Sequence, residues 1–577
     1  MNMVNRDAQH ERSHKKSLGS FYTSPHLAEL IANESLNAWF DNRSETTIEH
    51  LLDLVQNLKI LDPAVGAGAF LLAAANWLDK KRQELGEKSS TKKRRESIVR
   101  NSLFGVDIVS EAADECRLKL LHWVSSTEQL EDNIRHGNSL TSFDWAAEFS
   151  SVITRENSGF DIVLGNPPYG NLLSKDNREF IQENYPFAVG GNRTGTWNSA
   201  AHFIVRSSML LRQDGELGFL IPNSILRVKQ FTKTRQFLIN NLNLWKIIDE
   251  GSPFDDVTLE MVTVFCSKQQ SGKTDKVKIE SRRPGYEQTN SVSHELLKTS
   301  NIFPLYYDEI FEAILKKGQK NLLIATRGRD IPKEHVRQEP SDQYSTPYIT
   351  SGRSVRRYHI NEHHQTYTDD WYKRDQGMME SYSNELLVAT KNYKYPRCVI
   401  KPIGTIHGGG IVHIKPSTSD VNLKALGMIL NSRLIQYICT RYLTNYSQLT
   451  TCLNTGILEE LPVVLPKYPA GFAILFDVLS KLHNQDVSLE RDHCIKTFEA
   501  ISEALVYDLY LGNSSTLQKE VALLLDTGVN HTKDIRGLCD IFESSSIVSQ
   551  TEKVMSKSIV KQIEKRLIDA SGKSPRY

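Results

Sequence analysis

At 577 residues the chain exceeds one ordinary hydrophobic core, and its length alone points to two to four domains. A composition of 39% apolar and 24% charged residues is that of a soluble globular protein, and a formal charge of +1 leaves no global basic excess to announce a nucleic-acid partner, although local clusters cancel in such a sum. Seven cysteines without a Cys-x-x-Cys pair give neither a disulfide frame nor a zinc site, so no metal is expected and a reducing compartment fits.

The start, MNMVNRDAQHERSHKKS, is polar and lacks the apolar core of a secretory signal. No apolar run approaches the roughly 20 residues that span a bilayer, so the reading is cytoplasmic, with no membrane partner. Residues 24–40 read as a helix that begins at Ser24-Pro25 and carries Leu27, Leu30 and Ile31 on one face. LKIL (58–61) is a short strand that runs into DPAVGAGAF and then the helix LLAAANWLDKKRQEL. The basic clusters KKR and KKRR between 80 and 95 read as a solvated helix end and loop, with phosphate contact as the alternative. LFGVDI (103–108) is a strand ending in an acid, followed by a helix at 110–122 and a strand at 133–137 that ends in GNSL.

FDIVLGNPPYG (160–170) is the fourth strand, stopped by two prolines that remove backbone donors. Residues 198–212 read as an amphipathic helix, with Ala200, Phe203, Ile204 and Leu211 at helical spacing, GELGFLIPN is a strand, and after a helix LWKIIDE and EMVTVFC (260–266) complete the series. This alternation predicts a doubly wound, Rossmann-like α/β domain over residues 1–270. Residues 271–319 are polar and read as a linker region. Residues 320–466 mix short strands, Gly-rich turns (HGGG, 407–410) and one helix, a mixed α+β pattern, and residues 467–577 read as helical. No fixed-period repeat is present.

Three features of the first domain carry chemistry. Gly66 and Gly68 lie between a strand and a helix, where glycines let a backbone turn tightly and pass close to a ligand. The third glycine of a dinucleotide fingerprint is missing, so a pyrophosphate is not favoured and an ordinary turn remains the alternative. Asp107 ends the next strand, where doubly wound folds place a carboxylate for ribose hydroxyls. Its spacing from Gly68 is long, and the basic insert around 80–100 accounts for that. Asn138, ending the third strand, is positioned to meet an adenine ring, with a plain turn role as the alternative.

NPPY is the specific signal. The lone pair of an aromatic amine is delocalised into its ring, which makes the nitrogen a poor nucleophile. Two acceptors, one for each N–H, localise that pair. Asn166 offers a side-chain carbonyl and Pro167 a backbone carbonyl, and prolines fix the direction of such groups. That is preorganised electrostatic catalysis. Tyr169 offers a flat face on which a base stacks.

The series GSFYTSP, ILDPAVGAGAF, FGVDI, HGNSL, FDIVLGNPPYG, GELGFLIPN and SPFDDVTLEMVTVF, over roughly residues 19–266, resembles the gamma-class DNA adenine-N6 methyltransferases typified by the TaqI enzyme. The resemblance implies S-adenosyl-L-methionine as cofactor and a target adenine rotated out of double-stranded DNA. By position it implies that Tyr22, Thr23 and Pro25 touch the methionine part of the cofactor. Asp62, Ala64, Gly66 and Gly68 form its loop, Asp107 holds the ribose, and Asn138 stands where many relatives bind adenine through an aspartate. Asn166, Pro167 and Tyr169 are the implied catalytic motif. Phe254 takes the place of an aromatic that packs on the flipped base, with core packing as the alternative. In length and layout the chain resembles the longer, prokaryotic members that modify ATCGAT. A cognate restriction endonuclease is then a functional partner, and the chain a monomer or weak dimer.

Such an enzyme needs a separate region to find its site. Residues 320–466 supply TRGRDIPK, YITSGRSVRRYHI and LVATKNYKYPRCVIKP, with arginines interleaved among tyrosines on turns. The candidate DNA contacts are Arg327, Arg329, Arg353, Arg356, Arg357, Lys391, Tyr393 and Lys394. Three other readings stand beside this one. NPPY also serves enzymes that methylate protein glutamine or rRNA. A fused restriction enzyme is disfavoured by the roughly 18 residues before the first motif and by the lack of a clear nuclease carboxylate cluster. A catalytically dead DNA-binding subunit is disfavoured by the intact NPPY.

Overall fold

The computed structural model describes residues 23–571 apart from residues 44–45, 127–131, 156, 186–195, 255–257, 269–274, 351–352, 362–363, 392, 450–451, 513–515 and 532–533. The chain divides between Leu305 and Tyr306 into two compact units.

The first unit is built on a nine-stranded sheet. Its strands are β1 (Ile60–Asp62), β2 (Leu103–Asp107), β3 (Asn133–His136), β4 (Phe160–Gly165), β5 (Leu211–Pro222), β6 (Asn243–Gly251), β7 (Met261–Ser267), β8 (Lys276–Ser281) and β9 (Gln288–Ser293). Their spatial order is β3-β2-β1-β4-β5-β7-β6-β8-β9. The first five pair in parallel, whereas β7 runs antiparallel to both β5 and β6. Every residue of β4 and β7 is buried, as continuous apolar strands covered on both faces must be.

Helices α1 (Pro25–Asp41), α2 (Ala69–Glu84), α3 (Thr91–Ser102), α4 (Ser110–Val124), α5 (Ser199–Leu210) and α6 (Thr232–Asn240) join the strands. The first starts at Ser24, whose hydroxyl accepts the Leu27 N–H at 3.3 Å, with Pro25 in the first turn, where a missing N–H costs nothing. Leu27, Ala28, Ile31, Trp39 and residues of α2, β1 and β4 share one core. Residues 198–212 were expected to be amphipathic, but nearly all of α5 is buried.

Two sequence expectations change. The long gap before Asp107 is an extra helix, α3, and its basic residues are not all solvated. Arg82 pairs with Glu87 at 2.6 Å, while Arg94 and Arg95 both reach Asp79, at 2.6 and 2.8 Å. Arg82 and Arg94 are buried, which leaves the phosphate-contact alternative no claim on those two side chains. The polar 271–319 span is also not a linker through its first part. Strands β8 and β9 extend the sheet, β8 parallel to β6. Arg283 is buried, with Nε 3.0 Å from Asp249 and a guanidinium nitrogen 2.9 Å from Glu260. An edge hairpin with one polar face reads as loop when only composition is weighed.

The second unit holds two four-stranded sheets. One has the order β10-β17-β14-β15, from β10 (Leu323–Arg327), β14 (Leu386–Thr390), β15 (Cys398–Lys401) and β17 (Ile411–Pro416). The other has the order β11-β13-β12-β16, from β11 (Val336–Arg337), β12 (Thr346–Ile349), β13 (Thr366–Thr368) and β16 (Ile406–His407). Helices α7 (Leu423–Leu430), α8 (Pro469–His483), α9 (Leu489–Leu511) and α10 (Ile535–Glu543) belong to this unit. Among the described residues no helix is long and apolar enough to cross a membrane.

Candidate active site at the strand ends

Parallel strands β3, β2, β1 and β4 are in register, with Asp107 beside His136, Asp62 beside Gly105, and Leu61 beside Val163. Their carboxyl ends therefore bring Asn138, Asp107, Asp62 and Asn166 to one edge. The chain reverses its strand order between β1 and β4, and open α/β sheets bind ligands at that crevice.

The loop after β1 turns at Gly66 and Gly68, with φ of +50° and +82°. A Cβ on Gly68 would stand 2.6 Å from Cys116 Sγ, so α4 closes tightly on the loop. A Cβ on Gly66 would meet nothing within 4 Å, which leaves open space over the loop. Asp107 fixes the loop from the next strand. One carboxylate oxygen accepts the Gly66 N–H at 2.8 Å and the other accepts the Val109 N–H at 2.9 Å. Asp62, fully buried, accepts the Ala64 N–H at 3.0 Å. Burial raises its carboxyl to about 8, against the pull of the Ala64 bond, and the nearby Asp107 raises it further. Burial also raises Asp107, opposed by its N–H donors. A cationic ligand such as the sulfonium cofactor implied by the resemblance would favour the ionised forms of both carboxyls, which burial otherwise disfavours. Asn138 uses its Oδ1 to accept the Leu140 N–H at 3.1 Å, the turn role weighed from the sequence. Its amide NH₂ is the group left to face a purine.

NPPY follows the last residue of β4. A Cβ on Gly165 would lie 2.8 Å from the Asp62 Oδ1, so the strand passes close over the buried acid. Asn166 donates its amide N–H to the Thr23 hydroxyl at 3.1 Å. Thr23 is buried, and its hydrogen bond ties the segment expected to touch cofactor to NPPY. Pro25 is exposed at the helix start, and Tyr22 lies outside the described residues. Pro167 is buried, while Tyr169 is partly buried. Burial pushes the Tyr169 phenol upward, so it stays neutral. Tyr169 and Phe254 pack against the same core cluster.

Sequence reasoning missed Ser199. Its hydroxyl donates to the Pro168 carbonyl at 2.6 Å, and its N–H to the Gly170 carbonyl at 2.9 Å. Asn198 caps the same helix through the Ala200 N–H. The helix start thereby grips the far side of NPPY. The only signal was an Asn-Ser pair at a helix start.

In the second unit the proposed DNA contacts separate by environment. Arg327 is exposed and donates to the Gly409 carbonyl at 2.8 Å. Arg329 is exposed and paired with Asp375. Arg353 is exposed on a turn. Arg356 reaches the Tyr393 hydroxyl at 3.4 Å, and the Arg397 guanidinium lies 3.5 Å from the centroid of the Tyr393 ring. Lys391 is half-buried, its backbone bonded to Gly410 and Leu453. Lys394 donates to the Ser447 carbonyl at 2.9 Å.

Arg357 departs from the expectation of a groove reader. Its guanidinium lies 3.2 Å from Glu503 and 3.9 Å from Glu499, both on α9 and both buried, so it neutralises internal carboxylates. Lys401, from the same basic stretch as Lys391, is fully buried and donates to four backbone carbonyls. Arg397 was missed as a candidate, although the KNYKYPR run contains it.

Residues 101–254 match the family described as Eco57I restriction-modification methylase. The Escherichia coli type II restriction enzyme and methyltransferase RM.Eco57I is 26% identical over 288 residues, covering 43% of this chain and 28% of that one. A Methanocaldococcus jannaschii protein bearing the name type II restriction enzyme and methyltransferase RM.MjaORFECS2P is 28% identical over 407 residues, covering 64% of this chain and 32% of that one. The chain thus spans about a third of the length of these relatives. Among solved structures, the Type IIL restriction-modification enzyme MmeI in complex with DNA aligns with a TM-score of 0.56 at 13% identity, over 94% of this chain and 80% of that one. That likeness shows the fold, an α/β unit followed by a mixed unit and helices.

Proposed function

We propose that this chain is a site-specific DNA methyltransferase that moves a methyl group from S-adenosyl-L-methionine to N6 of an adenine flipped out of double-stranded DNA. The observation that carries the reading is NPPY at the carboxyl end of β4, braced by Thr23 on one side and Ser199 on the other. The names of the relatives, which join methylation to restriction, support the same class.

S-adenosyl-L-methionine supplies an electrophilic methyl group when bound. The Gly66–Gly68 loop, Asp62 and Asp107 would hold it, with the Asn138 amide at its purine. The Asn166 Oδ1 and the Pro167 carbonyl accept the two N–H bonds of the target amine and localise its lone pair. Thr23 keeps the amide of Asn166 turned so that its NH₂ points away from that acceptor position. Tyr169 stacks on the extruded ring and offsets part of the few kcal/mol that unstacking costs. The methylated ammonium is acidic enough to lose its proton to water, so no strong base is needed.

The second unit reads the site. Arg327, Arg329, Arg353, Arg356, Lys391, Tyr393, Lys394 and Arg397 remain its candidate DNA contacts, for phosphates and base edges. ATCGAT is the sequence that the chain's layout favours, and a cognate endonuclease the enzyme against which it protects.

Modification-sensitive sequencing of DNA from a host expressing the chain tests this. N6-methyladenine at one short motif, absent with Asn166→Ala, is the expected result. A methyl group on cytosine, or on protein or RNA but not DNA, would overturn it.

A further inference from the structure

No two cysteines have ligand spacing in the sequence, so no metal was expected. The fold brings together what the sequence separates. Helix α9 carries His493 and Cys494, and helix α10 carries Cys539 and Glu543. One donor atom each of His493, Cys539 and Glu543 lie within 4.8 Å of one another. The His493 Nε2 is 2.6 Å from a Glu543 oxygen, and the Cys539 Sγ is 3.5 Å from the same oxygen. Cys494 is buried beside Cys539 and shares a hydrogen bond with it.

We infer that these residues form a zinc site that clips α9 to α10, with His493, Cys539 and Glu543 as ligands and Cys494 or water in the fourth position. Zinc bonds of about 2.0–2.3 Å in a tetrahedron set donors about 3.3–3.8 Å apart. The Cys539–Glu543 separation falls within that range, and His493 and Glu543 would have to part slightly to admit the ion. An imidazole, a thiolate and a carboxylate suit zinc rather than magnesium or calcium, which take oxygen alone.

The site has an entrance and a support. His493 and Glu543 are exposed, while Cys539 closes the inner side. Thr497, one turn beyond His493, donates to the same Glu543 oxygen at 3.0 Å and fixes that carboxylate. Below it Phe498 and Phe542 meet edge to face at 5.6 Å, so the two helices are already packed and the metal need not order them.

The test uses the full chain. Zinc-loaded, desalted protein is assayed by plasma mass spectrometry, and cobalt(II) replaces zinc for spectroscopy. About one equivalent of zinc should remain, and cobalt should give an intense tetrahedral spectrum with a thiolate charge-transfer band. Cys539→Ser should abolish that band and His493→Gln should lower the retained zinc at least tenfold. Because His493 is exposed, the second variant folds even where the first does not. Wild-type protein that keeps no zinc, a weak octahedral cobalt spectrum, or full retention by His493→Gln would each overturn the site.

Discussion

Thr23→Val separates two roles for the first motif. The resemblance places Thr23 at the cofactor, while the structure puts its hydroxyl 3.1 Å from the amide nitrogen of Asn166. Valine keeps the shape of this buried side chain and removes only the acceptor. A neutral hydrogen bond contributes about 0.5–1.5 kcal/mol net, and each 1.4 kcal/mol is a factor of ten in rate. If the bond serves to hold Asn166 in its productive orientation, the loss appears in the methyl-transfer step as a fall of about 2-fold to about 12-fold. Asn166→Ala removes the acceptor itself and should cost about 100-fold to 1,000-fold, as loss of one oxyanion-hole donor does. Single-turnover transfer of tritiated methyl to duplex DNA gives the rate, and calorimetry gives cofactor affinity. The expected pattern is a slower step with unchanged cofactor Kd, and rescue by Thr23→Ser. A normal rate, or a weakened cofactor Kd with a normal rate at saturation, would refute the orienting role.

The buried carboxyl of Asp62 makes stability depend on pH. Its folded value of about 8 lies above the unfolded value of about 3.9, so the folded state holds the proton longer and stability falls as pH rises from about 4 to about 8. Asp62→Asn should remove that slope and stabilise the cofactor-free protein by at most about 4 kcal/mol at pH 7, and identical melting curves against pH for the two proteins would contradict the assignment. Arg357→Leu leaves Glu499 and Glu503 buried without their cation and should cost about 3–5 kcal/mol of stability, with DNA affinity retained below the melting transition. Unchanged melting with weaker DNA binding would instead restore Arg357 as a reader. Arg397→Ala should weaken binding to all duplexes alike and lower the salt slope by about 1, as loss of a phosphate contact does, and a changed sequence preference with an unchanged slope would argue for base readout.

The strands of the first unit were legible because parallel strands announce themselves as apolar runs. LKIL, LFGVDI and FDIVLG each form a strand whose carboxyl end lies at the same edge, which is where Asp62, Asp107 and Asn166 stand. Strands β8 and β9 were missed for the opposite reason. Their alternation of buried and exposed residues, with Ser and Thr among them, resembles a polar linker, and only pairing in the sheet resolves it. Charges misled in the same way. Arg82, Arg94, Arg283 and Arg357 look like surface residues in a sequence, and each has a carboxylate partner that folding supplies.

What no local pattern could reveal is how NPPY is held. Two prolines restrict φ within the motif but do not fix the motif in space. Its Asn end is bonded to a residue 143 positions earlier, and its Pro168 carbonyl to a residue 31 positions later. Gly165 lets the strand lie against Asp62, so the acid below the cradle and the motif beside it share one surface. A pair of acceptors that must act without reorganising needs such anchors on both sides, because rotation of the Asn166 amide would replace an acceptor with a donor at the reacting nitrogen. Under the proposed function the dispersed motifs of the first unit would act as one device: Thr23 orients the Asn166 acceptor, Ser199 holds the Pro168 and Gly170 carbonyls, and the β1 and β2 ends would present two carboxyls to the cofactor.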